Sequence, residues 1–437
     1  MRKMTSEDKY IRKRRIKAKA SKLLYYMFGI LPIHKNKITF SAFEGAGYCC
    51  NPKYIAEGLI ANQRKGDARY ELVWLVNDIN KEFPPEIKKV KNTLWNRAYH
   101  LSTSKIWIDN ARKNWGTRKR KGQFYIQTWH GPVGFKPVGR LRGELFSKIG
   151  ELVSVADAKN INVLLSNSDW CTDKWERSFW GEPVIKTGSP RCDILINKRD
   201  IQYMKIREEF GLKPDSKIVL YAPTFRGGSQ NKKREVFAEE FTIDFNLLRQ
   251  SLHQKFGGEW YIFVRLHPQL ALRMQKAKFS KSEYIIDISY KDDLYEYLAA
   301  VDVVVTDYSS VAFDASYMKI PVFLYVDDYK DYVQDRGELL WKYEEIPFSI
   351  AVNNKELSEK ILLAACKSNN IKVINDCLNK VDFPHLRIPV TTLITSLSFQ
   401  RFNMFKYSVL SIIVHLTSII ILYFELSVKF WKYFSKT

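Results

Sequence analysis

Val303-Val-Val-Thr-Asp-Tyr-Ser-Ser310, followed by Val311-Ala-Phe-Asp314 and then Pro321-Val-Phe-Leu-Tyr325, decides the fold of this chain. The β-branched run Val303–Thr306 has the composition of a strand buried on both faces, as in a parallel sheet. Ser309 and Ser310 are residue types that cap helix N-termini, so the chain is expected to pass from strand through a polar turn into a helix. Unpaired helix amides and two hydroxyls then meet at the carboxyl edge of the sheet. That edge is where open α/β sheets bind ligands, and a helix N-terminus there favours an anion such as phosphate.

The same alternation runs outward in both directions. Lys37–Ser41, Tyr70–Val76, Lys105–Asp109, Phe124–Gln127, Val163–Ser166 and Val184–Gly188 read as strands separated by helical stretches. Gln202–Phe210 reads as a linking helix. A second series then follows: Lys217–Pro223, Trp260–Arg265, Tyr284–Asp287, Val301–Thr306 and Val322–Val326. The expected fold is α/β and GT-B-like, with two Rossmann-like domains facing across a cleft at 36–200 and 201–395. Flanking them are a basic arm at 1–35 and a hydrophobic C-terminal helix at 396–437.

The chain has 437 residues, 46% of them apolar, which is ample for two such cores. Its net charge of +23, from 70 basic and 47 acidic residues, implies an anionic environment. The six cysteines show no C-x-x-C spacing, as expected of a reduced cytosolic chain without a zinc site. Arg12-Lys-Arg-Arg15, Lys17, Lys19 and Lys22 precede the apolar run Leu23–Ile33, which is too short to span a bilayer and lacks a small-residue cleavage site. An interfacial anchor on anionic lipid is expected, on the cytoplasmic face of the cell membrane. At the other end Tyr407–Phe424 is apolar, but Ser408, Ser411, His415 and Ser418 form a polar stripe, so a helix in or on the membrane plane ranks above a spanning one.

Two histidines follow predicted strands: His130 in Gln127-Thr-Trp-His-Gly131 and His267 in Arg265-Leu-His-Pro268. Histidine suits proton transfer near neutral pH, and two at equivalent edges of facing domains make a candidate catalytic pair. Arg191, Arg226 and Arg265 lie at the same edges and are candidate phosphate ligands. There is no D-x-D, no G-x-x-x-x-G-K-[ST] and no G-x-G-x-x-G, so P-loop and dinucleotide chemistries lack their signatures. No metal ligand set and no required cofactor is read. Aromatic residues beside Lys and Arg at 112–125 and 429–434 would suit base stacking, but the charge is spread along the chain and nucleic acid is not an expected partner.

Taken together, Gln127–Gly131, Gly188-Ser-Pro-Arg-Cys-Asp193, Tyr221-Ala-Pro-Thr-Phe-Arg226, Arg265–Pro268 and Thr306–Ser310 resemble the ordered motifs of the CDP-glycerol glycerophosphotransferase family. Phe43–Lys53 and Asp327–Gly337 are similar to further segments of that family. The resemblance implies a glycerol-phosphate transferase of teichoic acid or related surface-polymer synthesis, with CDP-glycerol as donor and a lipid-linked, polyprenyl-diphosphate-borne acceptor. His130 would be the general base. His267, Arg265, Thr306, Ser309 and Ser310 would hold the diphosphate, and Arg191, Arg226, Asp307 and Arg336 are further candidate phosphate or acceptor contacts. CDP-ribitol, or a nucleotide sugar used by a GT-B glycosyltransferase, is the alternative donor.

Overall fold

The computed structural model describes residues 5–66, 69–131, 134–224, 242–266 and 282–364. The predicted C-terminal helix at 396–437, together with Arg226 and His267, lies outside them.

Two parallel sheets organise the described chain. The first is built from β1 (His34–Ser41), β2 (Glu71–Val76), β3 (Ile87–Lys91), β4 (Ser104–Asp109), β5 (Phe124–Gln127), β6 (Val163–Ser166) and β7 (Val184–Lys186). Its strand order is β3-β2-β1-β4-β5-β6-β7. The second is built from β8 (Lys217–Ala222), β9 (Trp260–Val264), β10 (Ile285–Asp287), β11 (Val303–Thr306), β12 (Val322–Tyr325) and β13 (Ser349–Ala351), in the order β10-β9-β8-β11-β12-β13. Both orders reverse direction beside their first strand, at β1/β4 and β8/β11. The carboxyl ends of those strands are where such sheets leave a crevice for ligand. Central strands such as Leu72–Val76, Val219–Leu220 and Val303–Val305 are almost wholly buried, as their unbroken apolar runs require.

Helices cover both sheets: α1 (Ser6–Phe28), α2 (Cys50–Arg64), α3 (Leu94–Thr103), α4 (Lys148–Ala158), α5 (Asp169–Ser178), α6 (Asp193–Asn197) and α7 (Arg199–Glu209). In the second half follow α8 (Phe245–Phe256), α9 (Leu294–Leu298), α10 (Val311–Ala315), α11 (Tyr329–Arg336) and α12 (Asn354–Leu363). One apolar cluster runs across both halves, joining Phe135, Leu164, Trp175 and Phe179 to Val304, Phe313 and Phe348. Phe135 lies 4.8 Å from Phe313, ring centre to ring centre. The halves therefore share a core as well as a cleft.

The basic arm is a helix docked on the core of the first half. It forms one 23-residue helix, started by a capping box in which Thr5 and Asp8 satisfy each other's backbone amides. Ile11, Ala18 and Tyr25 recur at seven-residue spacing and are buried, and Tyr25 joins Leu75, Trp107 and Tyr125 in a core cluster. Phe28 packs edge-on against Trp95 and Tyr99 of α3. The opposite face leaves Ile16, Leu23 and Met27 exposed among Arg12 and Lys19. The run read as one apolar segment is thus divided between core and surface. No described helix is long and apolar enough to cross a membrane.

Candidate active site

The carboxyl ends of the two sheets border a cleft of about 1480 Å³. Phe43, Trp129 and His130 line it from the first half; Thr224, Ser309 and Ser310 line it from the second.

His130 is presented by a turn under tight control. β5 ends at Gln127, whose side-chain amide donates to the Ala111 carbonyl (3.0 Å) and the Tyr125 hydroxyl (2.8 Å). Its side-chain oxygen accepts from the Trp129 N–H at 3.0 Å. Trp129 sits in the left-handed region at φ 51°, a conformation that a bulky residue holds only when its surroundings impose it. Asn51 supplies a second restraint, donating to the Trp129 carbonyl at 3.2 Å. The Trp129 ring stacks on His130 at 5.0 Å, and Phe43 meets the imidazole edge-on at 5.1 Å. Phe43 is itself left-handed (φ 45°), and its N–H donates to the Asn110 side chain at 2.7 Å.

The same Asn110 fixes the tautomer. His130 Nδ1 lies 2.6 Å from the Asn110 carbonyl oxygen. A carbonyl can only accept, so Nδ1 carries a proton, and in the neutral ring the lone pair falls to Nε2. That is the state a general base requires.

Opposite stands the turn after β11. Thr306 is wholly buried and its hydroxyl donates to the Ala222 carbonyl at 2.7 Å. Asp307 accepts from the Thr224 N–H at 2.8 and 3.0 Å and from its hydroxyl at 3.1 Å. Both residues therefore clamp β8 to β11 at the switch point, and neither is among the residues lining the cleft. Ser309 and Ser310 do line it, but Ser310 does not cap α10. Its backbone is already helical (φ −61°, ψ −14°), whereas a capping side chain needs an extended backbone. The Ser309 hydroxyl makes only a long contact, 3.4 Å, with the Val311 N–H. Ser310 turns toward the other half instead: a Cβ at Gly131 would stand 3.2 Å from its hydroxyl oxygen. Glycine beside His130 is explained by this close approach, since the backbone there has no left-handed φ.

Of the arginines read as phosphate ligands, Arg191 and Arg265 line the cleft and also hold protein groups. Arg191 is buried, donates to the His130 carbonyl (2.7 Å) and to Asp314 (2.7 Å), and lies over the Tyr295 ring. Arg265 donates to the carbonyls of Ile288 (2.7 Å), Lys291 and Asp292 (3.4 Å), holding the loop between β10 and α9. Burial pulls its guanidinium below the ordinary arginine range. Sequence alone shows such charges without their partners. Arg336 closes α11, and its side chain lies outside the described residues.

A second cross-domain cluster had no signal in the sequence. Lys53 of α2 is buried with Asp293 (3.1 Å) and Glu296 (2.5 Å) of the second half, and the Tyr54 hydroxyl donates to Asp293 at 2.6 Å. Burial alone would depress the Lys53 ammonium, but Asp293 and Glu296 raise it above the ordinary lysine value. Alongside, Asp292 accepts from the Tyr48 N–H at 3.1 Å and pairs with Lys81. Among the described residues no group of His, Cys, Asp and Glu side chains is arranged to hold a metal ion.

Known proteins match this architecture. A sequence model described as CDP-glycerol:poly(glycerophosphate) glycerophosphotransferase matches residues 23–380. A teichoic acid poly(glycerol phosphate) polymerase of Bacillus spizizenii is 26% identical over 362 residues, covering 80% of this chain and 88% of the relative. A polymerase so described from Staphylococcus epidermidis is 28% identical over 340 residues; the match covers 74% of this chain but 45% of that longer protein. In structure, the wall teichoic acid polymerase TagF superposes with a TM-score of 0.69 at 23% identity, covering 88% of this chain and 97% of that one, which shows the shared fold. With the family model matched over most of its length, the chain belongs to the CDP-glycerol:poly(glycerophosphate) glycerophosphotransferase family.

Proposed function

We propose that this protein transfers glycerol phosphate from CDP-glycerol to a hydroxyl of a membrane-linked acceptor, releasing CMP, in the synthesis of teichoic acid or a related surface polymer. One observation carries the reading beyond family membership: the His130 base, poised in its Nδ1–H tautomer, stands directly across the cleft from the Ser309–Ser310 turn. The first half (36–200) then serves the acceptor and the second (201–395) the nucleotide.

In this mechanism the acceptor O–H gives its proton to His130 Nε2. The oxygen bonds to the phosphorus that carries glycerol, and the bond from that phosphorus to the bridging oxygen breaks. The electron pair stays with CMP, where the amides and hydroxyls of Ser309 and Ser310 offset the charge. His267 is assigned the diphosphate by the family pattern.

The exposed face of α1 supports an acceptor carried at a membrane. Ile16, Leu23 and Met27 project outward among Arg12 and Lys19, and Ile30 and Trp95 are exposed as well. Apolar side chains at the acyl boundary with cations on the headgroups suit an anionic leaflet.

CMP release tests the reading, with CDP-glycerol, CDP-ribitol and nucleotide sugars offered beside a lipid-linked acceptor. Release is expected from CDP-glycerol, dependent on acceptor. His130→Ala is expected to lower it ~10²–10⁴-fold while donor binding persists. Full activity in that variant would sink the base assignment, and release from another donor alone would change the substrate.

A further inference from the structure

Arg191, at the wall of the cleft, is tied to both of its sides. One nitrogen donates to the carbonyl of His130 at 2.7 Å, and the other donates to Asp314 at 2.7 Å. Asp314 lies on α10, and its own N–H donates to the Ser310 carbonyl at 3.3 Å. The Tyr295 hydroxyl and, at 3.4 Å, the Cys192 thiol also point at this carboxylate. Both members of the pair are buried, with side chains 3% and 4% exposed. The Arg191 N–H is in turn held by the Asn51 side chain at 3.1 Å, the residue that also grips the Trp129 carbonyl.

A fork of planar N–H donors is the group that can bridge two acceptors at fixed separation. Here one acceptor belongs to the turn carrying His130 and the other to the helix carrying Ser310. We infer that Arg191 is a positioning residue: the His130–Arg191–Asp314–Ser310 chain sets the distance and orientation between the base and the diphosphate turn across the two halves. This inference rests on the proposed transfer reaction for its kinetic consequence, but the coupling itself is a property of the unliganded protein. Simple cross-domain cohesion is already provided by the shared apolar core and by Lys53 with Asp293 and Glu296. Neither of those reaches the backbone of His130.

Three variants of the full chain test it: Arg191→Lys, Asp314→Asn and their combination. Lysine keeps the charge and can pair with Asp314, but it lacks the fork needed to hold His130 as well. Calorimetry with CDP-glycerol gives both Kd and the fraction of protein that binds, which separates misfolded material from folded. The expected result is a Kd within about threefold of the native value and a kcat per donor-binding site down roughly a hundredfold in Arg191→Lys, because small misplacements of a base cost that much. The double variant is expected to be little worse than Arg191→Lys alone, since both changes cut one chain. A kcat per donor site within threefold of native, or a donor Kd that rises in step with the lost rate, would overturn the positioning role.

Hydrogen exchange on the unliganded protein reads the coupling without substrate. Asp314→Asn is expected to raise exchange in the segment 128–131 by roughly tenfold while β4 stays protected. Unchanged exchange at 128–131 refutes the coupling even if transfer is robust. Failure of the native protein to bind or turn over CDP-glycerol would instead strike the functional reading, leaving the exchange result to decide this one.

Discussion

Asp157, at the end of α4, is 3% exposed beside the buried Asp109–Lys113 pair. Burial pushes its carboxyl from 3.8 to about 8, against the pull of Lys113. A raised acid pKa means the folded protein holds the proton more tightly than the unfolded chain does. Its contribution to stability is therefore fully present below the ordinary value of 3.8, declines as pH rises, and is gone above about 8. Asp157→Asn, neutral throughout, should raise the melting temperature far more at about pH 9 than at about pH 4. Equal shifts at the two pH values would show that the carboxyl is ionised in the ordinary range. Gly131→Ala tests a different residue-scale constraint. The added methyl would press on Ser310 from 3.2 Å, so transfer should fall at least tenfold, roughly 1.4 kcal/mol in the barrier, with unfolding nearly unchanged.

Among the elements, the buried strands were the most legible, because an unbroken run such as Val303–Val305 has no other comfortable place to lie. Two of the edge strands, β3 and β13, were not. Ile87-Lys-Lys-Val-Lys91 carries the charges that protect an edge, and Ser349–Ala351 is too short to show a period. That His130 and the Ser309–Ser310 turn lie on the cleft could be read from residue type and position. The roles of Arg191 and Arg265 could not, since Asp314 is 123 residues from Arg191 in the chain. For α1 the charge was readable but the docking stripe was hidden, because its seven-residue spacing is diluted by exposed apolar neighbours. The two faces predict opposite phenotypes. Leu23→Glu with Met27→Glu should release the protein from anionic vesicles and leave urea unfolding within about 0.5 kcal/mol of native. Tyr25→Ala should instead cost roughly 3–5 kcal/mol in unfolding. Undiminished sedimentation of the double glutamate variant with vesicles would remove α1 from the membrane contact.

At the scale of the whole molecule, the two sheets are joined by a common core, by a buried lysine cluster and by the arginine bridge. Lys53→Met would leave the buried Asp293 and the partly exposed Glu296 without their cation, and should destabilise the protein by roughly 3–5 kcal/mol in denaturant. A change under about 0.5 kcal/mol would mean the cluster is solvated and dispensable. The placement of these links has a consequence for recombination. Lys53 and Arg191 come from one half, Asp293, Glu296 and Asp314 from the other, and Gly131 is shaped to Ser310. The halves are therefore not interchangeable cassettes. A chimera joining the first half of one relative to the second half of another must carry matched seam residues, or it will inherit a His130 turn and a Ser309–Ser310 turn that no longer meet.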